Sequence, residues 1–204
     1  TDPEDVRIAI LASEERMADW EWVKWMPQAR SSIVRDAVGP GRMISTDPRE
    51  LAEMIGPDIA MRGAYRPGDD MPEWPHLLLV LDGAEFPPNS PFGSAVGVRG
   101  VTIMSRAREW TPMKSHTALR LVIHPNPDHK GADVVDVVTM DSLPEQAFAD
   151  RLTAVQAEAV ARRMTPFATQ QNLEEAETPV GRSDEARQMD LMELVGIGDI
   201  RDFD

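Results

Sequence analysis

The 204 residues carry a net charge of −14, 42% hydrophobic side chains and no cysteine. Without cysteine there is no disulfide framework, thiolate metal site or cysteine nucleophile, and three lysines (Lys24, Lys114, Lys130) in an acidic chain argue against a direct grip on nucleic acid or anionic lipid. The length suits one domain with a tail, the apolar content suffices for a core, and no apolar run approaches the ~18 residues of a spanning helix. No signal peptide is visible, and the start at Thr1-Asp2-Pro3 reads as a piece cut from a larger protein.

Val6 to Ala12 is the first strand candidate. Ser13 follows as a cap, and Glu14 and Glu15 suit the positive end of a helix running to Met26, before Pro27. Met17, Trp20 and Val23 share one face of that helix, which should pack on a sheet. Trp22 and Trp25 fall on a neighbouring face. They either fill a second internal contact, for instance with a helix at 49–62, or lie on a surface that another domain covers. Residues 30–42 carry the breaker Gly39-Pro40-Gly41 and read as a loop, with a short strand at Arg42-Met43-Ile44. Ser45-Thr46-Asp47-Pro48 is a helix start. The helix predicted over Arg49–Arg62 places Leu51, Met54, Ile55 and Ile59 on one side, and Pro57 should kink or split it. Pro67-Gly68-Asp69-Asp70 marks a turn.

Leu77 to Leu81 is the organising stretch: five aliphatic residues between Pro75 and Asp82-Gly83. Such a run reads as a strand buried on both faces at the centre of a parallel sheet. Its neighbours should be the strand at 6–11 and another at Val101–Met104, all parallel. Three prolines make 85–93 a loop at the carboxyl edge. The β-rich runs 117–123 and 133–140 read as an antiparallel hairpin at the sheet edge. Leu143-Pro144-Glu145 should open a helix reaching Met164. From Thr169 to about 188 the chain is an acidic linker, and Met189 to Val195 is a short amphipathic helix. The fold class is therefore α/β, a mostly parallel sheet flanked by helices with an antiparallel edge hairpin.

Open α/β sheets place ligands at the carboxyl ends of their strands, where Asp82 sits. An aliphatic strand delivering an acid has the shape of a Walker B strand, which holds Mg²⁺ beside a nucleotide phosphate; the plainer reading is an acid that caps the following turn. The spacing Gly93…Gly97…Gly100 lacks the lysine of a phosphate loop and precedes a strand, so it is rejected as one. His124 and His129 flank a turn but lack a third metal ligand. No Gly-x-Ser-x-Gly elbow supports serine hydrolysis.

Taken in order, Asp5 to Ile10, Trp20-Glu-Trp22-Val-Lys24-Trp25-Met-Pro27, Pro75 to Gly83, Gly97-Val-Arg-Gly100-Val-Thr-Ile and Leu194-Val-Gly-Ile-Gly198-Asp199-Ile resemble the EccC/EssC family. These are membrane-anchored FtsK/SpoIIIE-like ATPases of type VII (ESX) secretion systems. The matching part lies between the transmembrane helices and the first ATPase domain. The resemblance implies a degenerate P-loop-ATPase-like (Rossmann-like) domain over 1–168, with its first strand and helix before residue 1. It also implies a junction over 189–204, after the 169–188 linker, leading to that ATPase domain. ATP and Mg²⁺ are the implied cofactors, with Asp82 and Gly83 at the Walker-B-like position and no catalytic residue assigned. Gly83 stands where an acid would serve the attacking water, so unless Glu85 substitutes from the loop, binding without turnover is the expectation. The implied role is a coupling or regulatory module at the cytoplasmic face of the membrane. Its partners would be the membrane stalk and ATPase domains of the same chain and other secretion subunits, and Trp22 and Trp25 would be its interaction surface. A working motor domain and a plain α/β interaction domain are the alternatives.

Overall fold

The computed structural model describes residues 5–37, 39–66, 68, 74–93, 97–106, 113, 115–126 and 132–165. The turn cluster at 67–70 lies largely outside them, and His129, the linker and the 189–204 junction lie wholly outside.

The chain opens with strand β1 (Val6–Ala12) and helix α1 (Glu14–Trp20). Two 3₁₀ turns follow, Glu21–Trp25 and Pro27–Ala29. Next come β2 (Arg30–Asp36), β3 (Gly39–Arg42), β4 (Ile44–Ser45) and α2 (Pro48–Ala60). Then β5 (His76–Asp82) and β6 (Val101–Arg106) complete a four-stranded sheet of order β4-β1-β5-β6. All of its pairings are parallel, with Leu79 beside Ala9 on one side and Ile103 on the other. The predicted centre and both predicted neighbours are in place.

Helical layers cover the two faces. Leu51, Ile55 and Ile59 of α2 pack on Ala9, Leu11, Leu77, Leu79 and Leu81. On the other face Val23 and Ala29, with Met17, Trp20 and Trp22, pack on Ile10, Ala12 and Val80. β5 alternates along its length: Leu77, Leu79 and Leu81 are buried while Leu78 and Val80 are half-buried, so its second face is less enclosed than an unbroken aliphatic run suggests.

Asp47 caps α2, its carboxylate accepting the Arg49 N–H at 2.8 Å, and Pro48 occupies the first turn. The helix is not split by Pro57 and continues to Ala60. One lost backbone bond is offset by burial of Ile55 and Ile59 on either side of it. Arg62, just past its end, has a fully buried side chain. Its guanidinium donates to Asp58 at 2.7 Å and to the carbonyls of Pro75 and Gly100 at 2.8 Å each. It thereby pins α2 to the entry of both β5 and β6.

Four expectations need correction. The tryptophan helix is not continuous: it ends at Trp20 and tightens into the 3₁₀ turn, keeping Val23 in the core. Residues 30–42 are not a loop but a two-stranded antiparallel ribbon, β2 with β3, in which Gly39-Pro40-Gly41 belongs to a strand. Gly41 suits that place because an added Cβ would lie 3.2 Å from the Val34 carbonyl oxygen, where β2 bulges against it. The antiparallel hairpin, β7 (Arg120–His124) with β8 (Ala132–Val138), exists but belongs to a three-stranded sheet of its own. Its third strand is β9 (Glu145–Asp150), which occupies the first part of the helix predicted from 143. Helix α3 runs only over Ala154–Met164, started by a capping box between Thr153 and Gln156.

Candidate functional site at the carboxyl edge of the sheet

Three chain segments meet at Asp82. It ends β5 in register with Ala12 of β1 and Arg106 of β6. The Ser13 N–H, where β1 passes into α1, donates to the Asp82 carbonyl at 2.9 Å. Only 5% of the Asp82 side chain is exposed. Burying a carboxylate is costly unless it is paired and hydrogen-bonded. Both needs are met at one atom: the Trp20 indole N–H donates to Oδ2 at 3.0 Å, and a guanidinium nitrogen of Arg106 lies 3.7 Å from the same oxygen. Arg106 itself is largely exposed, so its charge is screened. The indole, fixed by the core on that face, is the closer partner.

Gly83 then takes the left-handed conformation at φ 75°. That turn carries the chain away from the sheet, and a side chain longer than glycine there is strained. Gly83 thus has a backbone reason to be glycine, and a glutamate at this position would meet that strain. Trp20 and Arg106 escaped the reading of the sequence. The Arg106 position follows from equal strand lengths once β5 and β6 are taken as parallel. No local signal points from Trp20 to Asp82, 62 residues away.

The other two tryptophans of this segment, Trp22 and Trp25, diverge. Trp22 is half-buried, stacks on Trp20 with centroids 6.4 Å apart, and donates its indole N–H to the Asp19 carbonyl at 3.0 Å. Trp25 meets α3. The Arg162 guanidinium lies 4.1 Å from its ring centroid, within the range of a cation–π contact. The Thr165 hydroxyl donates to the Trp25 carbonyl at 3.1 Å. Glu158 holds Arg162 in place with bonds of 2.8 and 2.9 Å, and the Arg162 hydrogen bond keeps the Glu158 carboxyl below its usual range. Trp25 therefore has an internal partner, supplied by α3 rather than by α2.

The histidines sit elsewhere and separately. His124 pairs with Asp136 at 2.9 Å, His116 with Asp141 at 2.7 Å, and His76 with Thr102 at 2.8 Å. Among the described residues no three histidine or carboxylate groups are gathered to hold a metal ion.

Comparison with known proteins finds relatives of one kind. The chain is 33% identical over 173 residues to the ESX secretion system protein EccC of Thermomonospora curvata, a match covering 82% of this chain and 12% of that protein. It is 30% identical over 171 residues to the ESX-1 secretion system protein EccCa1 of Mycobacterium tuberculosis, covering 79% of this chain and 19% of that one. It is 38% identical over 104 residues to EccC3 of the ESX-3 system of the same organism, covering 50% of this chain and 8% of EccC3. The chain thus spans less than a fifth of the length of each of these relatives. No family model matches it. Among the described residues no helix is long and apolar enough to cross a membrane.

Proposed function

The chain belongs to the EccC family of ESX secretion system proteins, and on that premise we propose that it is a coupling module of a membrane-anchored secretion ATPase, one that does not itself turn over nucleotide. The observation that carries this reading is the state of Asp82. An acid serving Mg²⁺ must present a free oxygen to the ion and its water shell. Here the indole of Trp20 and the cation of Arg106 converge on Oδ2, so an ion could take only the other oxygen, Oδ1. A metal ion there would displace no hydrogen bond among the described residues but would stand beside a positive charge. The left-handed backbone at Gly83 disfavours the second acid that hydrolysis requires. The residues at this edge therefore do not fit a Mg²⁺–ATP site, and no step of hydrolysis is assigned to them.

Asp82 acts instead as a fastener. It joins the end of β5 to α1 and β6, so a load on the tryptophan-bearing segment is passed to the sheet. The module would sit at the cytoplasmic face of the membrane and contact the stalk and ATPase domains of its own protein and further secretion subunits. Trp22, half-buried with one face on Trp20, is the one of the two predicted surface tryptophans that α3 does not engage, and we assign it to the contact with a tethered neighbour.

Phosphate release by the full-length protein tests the reading. Asp82→Asn and Trp20→Phe should leave the rate per active ATPase domain unchanged, while Trp20→Phe loosens the 204-residue chain in a urea melt. ATP hydrolysis by the 204-residue chain that vanishes in Asp82→Asn would refute it.

A further inference from the structure

The edge of a sheet offers a row of unpaired N–H and C=O groups to any strand that reaches it, and proteins blunt such edges with charges, proline, bulges or short strands. The open edges of this fold differ in that respect. β4 is two residues long. β3 carries Pro40, and β2 bulges against it. β6 ends in Ser105 and Arg106, whose guanidinium is drawn to Asp82. β9 begins and ends in acids, Glu145 and Asp150, which an antiparallel second copy would bring towards each other. In β7, by contrast, Leu121, Val122 and Ile123 follow one another between Arg120 and His124, in unbroken register with β8. Among the described residues no strand pairs with its outer side.

Leu121 and Ile123 point to one face of the sheet and are 50% and 60% exposed. On that face they stand opposite Val137 and Val135 of β8, and Val135 is only 6% exposed. An aliphatic strip thus begins inside the sheet and runs out to its unpaired edge. A free surface gains nothing from such a strip, whereas a sheet that continues into another strand buries it.

The strand also complements itself. It has five residues, so an antiparallel copy overlaps it fully when Val122 meets Val122. Side chains directly opposite each other then share a face. Leu121 of each copy lies opposite Ile123 of the other, and Arg120 opposite His124. That histidine is already bonded to the Asp136 carboxylate at 2.9 Å, so the arginine approaches a ring backed by an acid rather than a bare cation. Arg120 is itself engaged within its own chain, so the aliphatic pairs carry the contact. We infer that β7 is a self-association edge: two copies of the chain pair through Arg120–His124 about a two-fold axis at Val122, and their three-stranded sheets join into one continuous sheet. The parallel sheet and Asp82 take no part in this contact.

Sedimentation velocity on the 204-residue chain over a concentration series should show monomer passing to dimer and nothing larger. Ile123→Lys sets a charge on the edge at a largely exposed position and should weaken dimerisation at least tenfold. Ile33→Lys, at a comparably exposed position on β2, should leave it unchanged. Because the chain has no cysteine, one introduced thiol reports the register even where the lysine variant fails to fold. Directly opposed Cβ atoms lie about 4.5–5.5 Å apart, close to the span a disulfide bridges. Val122→Cys should therefore cross-link to itself under mild oxidation, and Leu121→Cys should cross-link to Ile123→Cys faster than to itself. A chain that stays monomeric at every concentration, a dimer indifferent to Ile123→Lys, open-ended assembly, or Val122→Cys chains that cross-link no faster than Ile33→Cys chains overturns the proposal.

Discussion

Replacing Arg62 by methionine isolates what one buried charge contributes to this fold. Methionine keeps an unbranched apolar stem in the same place, so packing is largely retained. What disappears is the cation and its bonds to Asp58, Pro75 and Gly100, all between 2.7 and 2.8 Å. Removing one partner of a buried ion pair costs about 3–5 kcal/mol, because the groups left behind remain desolvated. The Asp58 side chain is 25% exposed and recovers water, which places the expected loss at the low end, about 3 kcal/mol. With a urea m-value of about 2 kcal/mol/M, the midpoint should fall by about 1.5 M. Asp58→Asn serves as the companion measurement. It removes the carboxylate and leaves a fully buried guanidinium with only two carbonyl acceptors, so it should cost a similar amount, about 3 kcal/mol. A loss below about 1 kcal/mol for Arg62→Met would show that the clamp contributes packing alone, and that α2 is held to the sheet by its apolar face.

Leu79 is wholly buried between β1 and β6, so Leu79→Ala should destabilise the chain by about 2–5 kcal/mol in the same urea assay; a change near zero would contradict its central place. The Asp133 carboxyl is held low chiefly by its hydrogen bonds from Arg151, and that of Asp136 by Gln146 and then His124. Their contribution is therefore complete above the ordinary carboxylate range and is lost as pH falls through the lowered values; Arg151→Ala should flatten that acid limb when urea midpoints are compared across acidic pH. Trp25→Ala should release α3, seen as lost helical circular dichroism, whereas Trp22→Ala should leave it in place; the opposite order would mean that Arg162 does not dock the helix.

The parallel sheet was legible because its signals are local and agree with one another. Leu77 to Leu81 is aliphatic throughout, and Ser45 to Pro48 announces α2 with a cap and a proline at the right offset. Strand β9 shows the opposite. Its residues, Glu145 to Asp150, are mostly poor strand formers, and the pairing with β8 decides their conformation. The start of α3 was in fact written in the sequence, since Thr153 and Gln156 have capping-box spacing, but the preceding Leu143-Pro144-Glu145 offered an earlier competing start. The ribbon at 30–42 was obscured by its glycines and proline, which read as a break and serve as a tightly packed strand. At the carboxyl edge, the place of Asp82 followed from strand polarity alone. Its partners did not, because Trp20 reaches it through a turn whose geometry depends on the core beneath.

The contact between Thr165 and Trp25 spans 140 positions of sequence. Closing so long a loop adds little more entropy cost than closing a short one, since the penalty grows with the logarithm of length. It does fix an order of events. The sheet's last strand ends at Arg106, whereas α3 finishes at Met164, so during synthesis the aromatic ring waits uncovered until the helix arrives. Folding from the amino end would therefore leave a completed sheet with an open berth, filled only when the final turn of helix emerges. A helix that docks last through a few contacts is also the first to leave, and amide exchange along 154–164 should run ahead of exchange in β5.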